Sequence, residues 1–211
     1  MSLLRKRRDF TPKKRPAQAR SRDTFDALVE ACTWLLPRRG YTKTTTNHIA
    51  ERAGVNIASL YEYFPGKDAI VAQVAERLVE RVLARLEQGL PRVIEGGEAN
   101  ASRLWIELIY DSVLREKTLV AVFLNQIPYT YQLEPIRALA PRLLEFSLEV
   151  QRRAQALVRF DFSAASLHLL INLVSSTIMQ LVLNPPEDVP VSELLDELAR
   201  RMEEWIRPAP V

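Results

Sequence analysis

The sequence predicts an all-α chain, and three observations carry that expectation. Apolar residues recur with the 3.6-residue period of a buried helix face in segment after segment. No run alternates apolar and polar residues long enough for a strand, and no internal repeat is visible. Proline and glycine clusters punctuate the periodic segments where helices are expected to stop. The pattern divides into a flexible basic arm (1–16), a three-helix module (17–66) and a larger helical body (67–211).

The arm mixes Pro12 and Pro16 with charges and lacks an apolar stripe. From Ala17, Phe25, Leu28, Val29, Cys32, Leu35 and Leu36 follow i, i+3, i+4, i+7 spacing, and Pro37 with Gly40 is expected to end that helix. The Thr44-Thr45-Thr46 run offers N-cap oxygens to a short helix reaching about Ala53. Gly54 suits a turn that needs a positive φ. Asn56 caps a third helix that Pro65-Gly66 stops. A long amphipathic helix, with Ile70, Val71, Val74, Leu78, Val82 and Leu86 on one face, is expected from Lys67 to Leu90, where Gly89-Leu90-Pro91 ends it. Gly96-Gly97 marks a loop. Helices are then read near Leu104–Arg115, Leu119–Leu124 and Leu143–Val158, with Pro128, Pro135 and Pro141 between them. Two strongly apolar helices close the chain, Ser163–Leu183 and Val191–Ile206, separated by Asn184-Pro185-Pro186.

The net charge of +3 hides an asymmetry. Residues 1–22 hold nine Lys or Arg against the single acid Asp9, which leaves the remaining chain net acidic. A polyanion partner is therefore expected for the arm and not for the whole surface. One cysteine, Cys32, excludes an internal disulfide and a multi-cysteine zinc site, and its place on an apolar stripe makes it a buried small side chain. The N-terminus lacks the apolar core of a secretory signal. No stretch of about 18 residues is uninterruptedly apolar, since His168, Asn172, Ser175, Ser176 and Gln180 break the greasiest helix. A cytoplasmic protein without a membrane span, cofactor or metal is expected.

The segment Thr46–Phe64 carries the sharpest signal. Ile49, Ala53, Val55, Leu60 and Phe64 fall where two short crossed helices share a core, Ala50 is small where they approach, and Gly54 sits at their turn. That is a helix-turn-helix pattern, which projects its second helix into a DNA major groove. The chain resembles the TetR (tetracycline-repressor) family in Gly40-Tyr41-x-x-Thr44-Thr45-Thr46-x-x-Ile49-Ala50-x-x-Ala53-Gly54-Val55. The resemblance continues through Ser59-Leu60-Tyr61-x-Tyr63-Phe64-x-Gly66-Lys67 and covers roughly residues 20–75. It implies DNA contact by Thr45, Thr46, Asn47, Asn56, Ile57, Ala58, Ser59, Tyr61, Tyr63 and Lys67. Tyrosine rings lie along deoxyribose and their hydroxyls reach phosphate, while Asn47 and Asn56 are the candidates for base edges. Ile57 departs from the polar residue frequent there and would meet thymine methyls. Arg and Lys of the arm are expected in the adjacent minor groove.

The last two helices are too apolar for a monomer's surface, so a homodimer through them is expected, presenting two reading heads to a palindromic operator. The resemblance further implies a repressor released by a small-molecule effector. Trp105, Tyr110, Phe123, Tyr129, Phe146, His168 and Asn172 are the candidate lining of its pocket, with His168 read as an interior histidine. The alternative is a ligand-independent DNA-binding regulator or a helical adaptor. Catalysis is not expected: Asp161, Ser166 and His168 are too close on one stretch to converge as a triad, and no phosphate loop or zinc motif occurs.

Overall fold

The computed structural model describes residues 8–14, 16, 18–154 and 163–206, and all regular structure among them is helical. In chain order the helices are α1 (Ala19–Lys43), α2 (Thr46–Ala53), α3 (Ile57–Tyr63), α4 (Lys67–Glu95), α5 (Glu98–Leu114), α6 (Lys117–Gln126), α7 (Glu134–Arg137), α8 (Leu139–Ala154), α9 (Ala164–Leu183) and α10 (Val191–Ile206). A 3-10 turn, Thr130–Gln132, precedes α7. Val158 and Asp161, and with them the expected end of the eighth helix and one member of the rejected triad, lie outside the described residues.

Two compact units emerge. The first joins the residues up to Val79 with Thr118–Arg137. Its centre is built by α1, whose stripe Phe25, Leu28, Val29, Cys32, Leu35 and Leu36 is buried as the periodicity required, together with Ile49, Leu60 and Phe64. Phe25 lies against Phe64 with ring centroids 4.7 Å apart. Thr118–Arg137 lie within the stretch read from sequence as the body, yet Phe123, Tyr129 and Leu133 are buried in this unit.

The second unit comprises Glu80–Lys117 and Ala138–Val211. Arg81 and Arg85, one turn apart on α4, both clamp Glu116: Arg81 donates to its two oxygens at 2.9 Å each and Arg85 to one at 2.8 Å. Burial works against the Glu116 carboxylate, but these two guanidiniums overcome it and hold its pKa below the ordinary value. Arg103 ties α5 to α10 through Asp196. In α9, Leu167, Leu170, Val174, Ile178, Leu181 and Val182 are buried, whereas Leu169 and Leu173 remain 57% and 51% exposed. By length and composition alone, Ala165–Leu183 is apolar enough to cross a membrane, although polar residues interrupt it.

Two expected helix ends are corrected. α1 continues past Pro37 and breaks only at Gly40, whose φ of 73° leaves helical geometry. α4 continues past Pro91 to Glu95. A proline removes one intrahelical hydrogen bond, and a helix buried along one face can bear that loss. Gly89 does not stop the helix; a Cβ there would meet the tip of the Leu108 side chain at 2.4 Å, so the glycine leaves room for that leucine of α5.

Candidate nucleic-acid interface

The helix-turn-helix is assembled by three local devices. Thr45 caps α2, its side chain accepting from the His48 amide at 3.3 Å. Gly54 ends α2 in the left-handed region (φ 65°), and the amide of Val55 donates to Ala50 O at 2.9 Å. Asn56 caps α3, its Oδ1 accepting from the Ala58 amide at 2.8 Å. With both caps and the glycine in place, Ile49 and Leu60 are fully buried between the crossed helices.

What remains outward is the surface a groove would meet. Asn47, Asn56, Ala58 and Tyr61 are exposed; Thr46, Ile57 and Ser59 are half-buried. Thr46 Oγ1 lies 3.1 Å from the Tyr61 hydroxyl, so the first residue of α2 and the middle of α3 share a single polar spot. The Asn56 side-chain oxygen is committed to the cap.

Two expected contacts are placed differently. Tyr63 is 8% exposed, against 44% for Tyr61, and meets Phe25 edge-on at 6.2 Å. Successive residues of a helix turn by about 100°, so positions 61 and 63 point to opposite faces; that spacing was available in the sequence as a signal. Lys67 is half-buried and donates to Tyr41 O at 2.7 Å, with its ammonium 3.8 Å from the centre of the Tyr41 ring. Burial holds the Lys67 pKa below the usual ammonium range, opposed by the nearby Asp68 carboxylate.

The same unit holds a polar cluster that the sequence did not announce. Asp68 Oδ1 accepts from Tyr41 Oη at 2.6 Å and Tyr129 Oη at 2.8 Å. Gln126 Oε1 accepts from the Tyr41 amide at 3.1 Å. Burial, joined by the Asp68 carboxylate, pushes both phenols above the ordinary tyrosine range. Tyr129 was assigned to an effector pocket and is instead 2% exposed in this cluster. A second feature missed from sequence is Trp34, with the guanidiniums of Arg38 and Arg52 at 4.1 and 3.8 Å from its ring centroid.

The other pocket candidates are divided between the two units. Phe123 is buried in the first unit; Trp105 and Phe146 stack in the second at 5.7 Å, where Tyr110 is half-buried. His168 is exposed rather than interior, as is Asn172, whose side-chain amide donates to the His168 carbonyl at 2.8 Å. An open groove of about 520 Å³ in the second unit is lined by Glu80, Leu83, Ala84, Glu87, Arg142, Glu145 and Phe146. Of the seven candidates only Phe146 borders it. Among the described residues no cluster of His, Cys, Asp or Glu is arranged to hold a metal.

Residues 28–74 match the family model described as bacterial regulatory proteins, tetR family. Over that segment the chain is similar to the TetR family. The family comprises transcriptional regulators and not enzymes. Over 186 residues, 85% of this chain, it is 21% identical to an uncharacterised helix-turn-helix regulator of Bacillus subtilis (strain 168), YuxN, of which the match covers 62%. A helix-turn-helix regulator of Aromatoleum sp. (strain CIB), HbdR, is 33% identical over 98 residues, covering 44% of this chain and 41% of that one. The chain thus spans less than two thirds of these relatives' lengths. Among solved structures, a transcriptional regulator from Rhodococcus sp. Rha1 shares the fold with a TM-score of 0.64 at 21% identity, covering 88% of this chain and 99% of that one. The repressor FadR of Thermus thermophilus, solved with lauroyl-CoA, does so with a TM-score of 0.57 at 23% identity, covering 89% and 98%.

Proposed function

We propose that this chain is a homodimeric regulator of the TetR family that reads a palindromic operator with α3 and represses until a small apolar or amphipathic molecule releases it. The observation that carries the DNA reading is the outward spot of Thr46 and Tyr61, flanked by exposed Asn47, Asn56 and Ala58 over a fully packed helix pair. Hydroxyls and amides aimed outward from a rigid support are what phosphate positioning and base readout require. Thr45 is occupied as the α2 cap; Ser59, Ile57 and Lys67 remain secondary contacts in this reading.

Exposed Leu169 and Leu173 on α9 support the dimer, since burying them against a second copy removes the largest uncovered apolar side chains of that helix from water. An interface helix accounts for the apolar length of α9 without a membrane, in keeping with a cytoplasmic regulator. The lauroyl-CoA in the FadR neighbour supports an amphipathic effector. Such a ligand acts only through differential affinity, and a coupling of about 1–3 kcal/mol changes operator affinity roughly 5- to 150-fold. Residues of α4 belong to both units, which makes it the covalent route for that coupling.

The test is genome-wide recovery of bound fragments followed by titration of the recovered site. Tyr61→Ala with Lys67→Ala is expected to abolish specific binding while sedimentation still reports a dimer. Wild-type affinity in that double variant would mean that another face of the module meets DNA.

A further inference from the structure

We propose that Arg8–Lys14 is an intramolecular strap that positions α3, with Lys13 capping its C-terminus and Arg8 and Phe10 anchored on Tyr129. The starting point is the weakness of α3. It has seven residues, ends against Pro65, and carries no basic residue in its last turn. A helix this short leaves most of its carbonyls without intrahelical partners and is marginal on its own.

Lys13 supplies what α3 lacks from fifty residues upstream in the fold's own chain. Its amide donates to Tyr63 O at 2.7 Å and its ammonium to Tyr61 O at 3.0 Å. One residue therefore satisfies two terminal carbonyls and sets a positive charge at the negative end of the helix. The strap's other end is equally specific. Phe10 packs on the Tyr129 ring at 4.9 Å, and the Arg8 guanidinium lies 4.4 Å from the same ring's centre and 3.6 Å from Asp68 Oδ2. Between the anchors, Asp9 Oδ1 accepts from the Thr11 amide at 2.9 Å and shapes a turn. Arg8–Lys14, expected from the sequence to be flexible, is thus docked; Arg5, Lys6, Arg7 and Arg15 lie outside the described residues.

The strap has a consequence for charge. Arg8 and Lys13 are spent on Tyr129, Asp68 and α3 carbonyls, so they are positioning residues and not phosphate contacts. That consequence rests on the DNA-binding reading; the strap itself does not.

Hydrogen exchange on the DNA-free full chain separates the two. Phe10→Ala and Lys13→Met should each speed exchange of the amides at residues 61–64 about tenfold, the local opening expected when a terminal support is removed, and Lys13→Arg should restore protection. Phe10 bears no charge, so its effect cannot come from a lost phosphate contact. With mixed-sequence duplex DNA as ligand, Arg8→Ala plus Lys13→Met should leave the salt dependence of binding unchanged, whereas each lost phosphate contact would lower its slope by about 0.9. Unchanged exchange at α3 in both single variants overturns the strap. A slope lower by about two overturns the assignment of Arg8 and Lys13 as positioning residues. Should the protein not bind duplex DNA at all, the exchange result alone decides the strap, and it is the DNA-binding reading that fails.

Discussion

Leu60 and Phe64 in the first unit and Leu169 and Leu173 in the second are of similar chemical kind in opposite surroundings. The first pair is fully enclosed by α1, α2 and their own helix; the second stands more than half in water. Polar groups pair inward in both units. In the first unit half-buried Asp68 accepts from Tyr41 and Tyr129, and Thr44, fully buried, donates its hydroxyl to Gly40 O at 2.8 Å. In the second, Arg81 and Arg85 clamp the largely buried Glu116, while α10 carries the surface ion pairs Arg200–Glu197 and Arg201–Glu204. The first unit encloses its leucine and phenylalanine, whereas the second leaves leucines of α9 uncovered, and under the proposed function a second copy covers them.

The largest effect should come from the uncovered side. Leu169→Glu with Leu173→Glu places two carboxylates in each copy of the proposed seam. Full burial of a leucine is worth about 1.5–3 kcal/mol, a second copy can supply only about half of that at these half-exposed positions, and a two-fold interface loses four such contributions at once. Sedimentation at micromolar concentration should change from dimer to monomer while helicity is retained, because each side chain is already more than half exposed in its own subunit. A wild-type chain that sediments as a monomer would instead break the comparison, leaving the second unit complete as it stands.

Next in size is a cavity in the closed unit. Phe64→Ala removes a fully buried ring that stacks on Phe25, and such truncations cost about 3–5 kcal/mol. Urea unfolding followed at Trp34 should shift to much lower denaturant, and hydrogen exchange should accelerate through α1 to α3 more than through α9 and α10. Equal acceleration in both units would mean that they unfold as one and that the contrast between them is only geometric.

Much of this fold was readable because it is local. The stripe of α1, the Thr45 and Asn56 caps and the left-handed Gly54 are each decided within a few residues, and each stands where its pattern required. What escaped was decided at a distance. Nothing near Phe10 announces Tyr129 as its partner, and nothing near Asp68 announces the two phenols that bond it. Pro37 and Pro91 were misread for the same reason: the local rule against proline is outweighed by burial of the rest of the helix. Tyr63 is the exception, a residue whose inward direction follows from helical geometry alone. The pocket aromatics were the least legible, since an aromatic side chain fills a core as readily as it lines a cavity.

The smallest effect sharpens the comparison furthest, because the two units should fail at opposite ends of the pH scale. In the first unit, burial pushes Cys32 from 9.0 up to about 12 and raises Tyr41 and Tyr129 above 10.0. Each holds its proton more tightly folded than unfolded. Their contribution is therefore complete below the ordinary thiol and phenol values and is lost as pH climbs above about 9 and 10 toward the folded values. Lys67, lowered by burial, works the other way, since its desolvation penalty is relieved as pH rises toward 10.5. Three groups oppose one, so alkali should loosen this unit. In the second unit, Glu116 is held below 4.5 by Arg81 and Arg85 against the cost of burial, so its contribution is complete above 4.5 and is lost as pH falls through its folded value. Trp34 lies in the first unit and Trp105 in the second, so single-tryptophan variants can follow each transition alone. Trp34 emission should move at high pH and Trp105 emission at low pH, with Glu116→Gln removing part of the acid limb and Tyr129→Phe part of the alkaline one. If both tryptophans respond together at either end, proton linkage is shared across the chain and the two regions do not titrate as separate bodies.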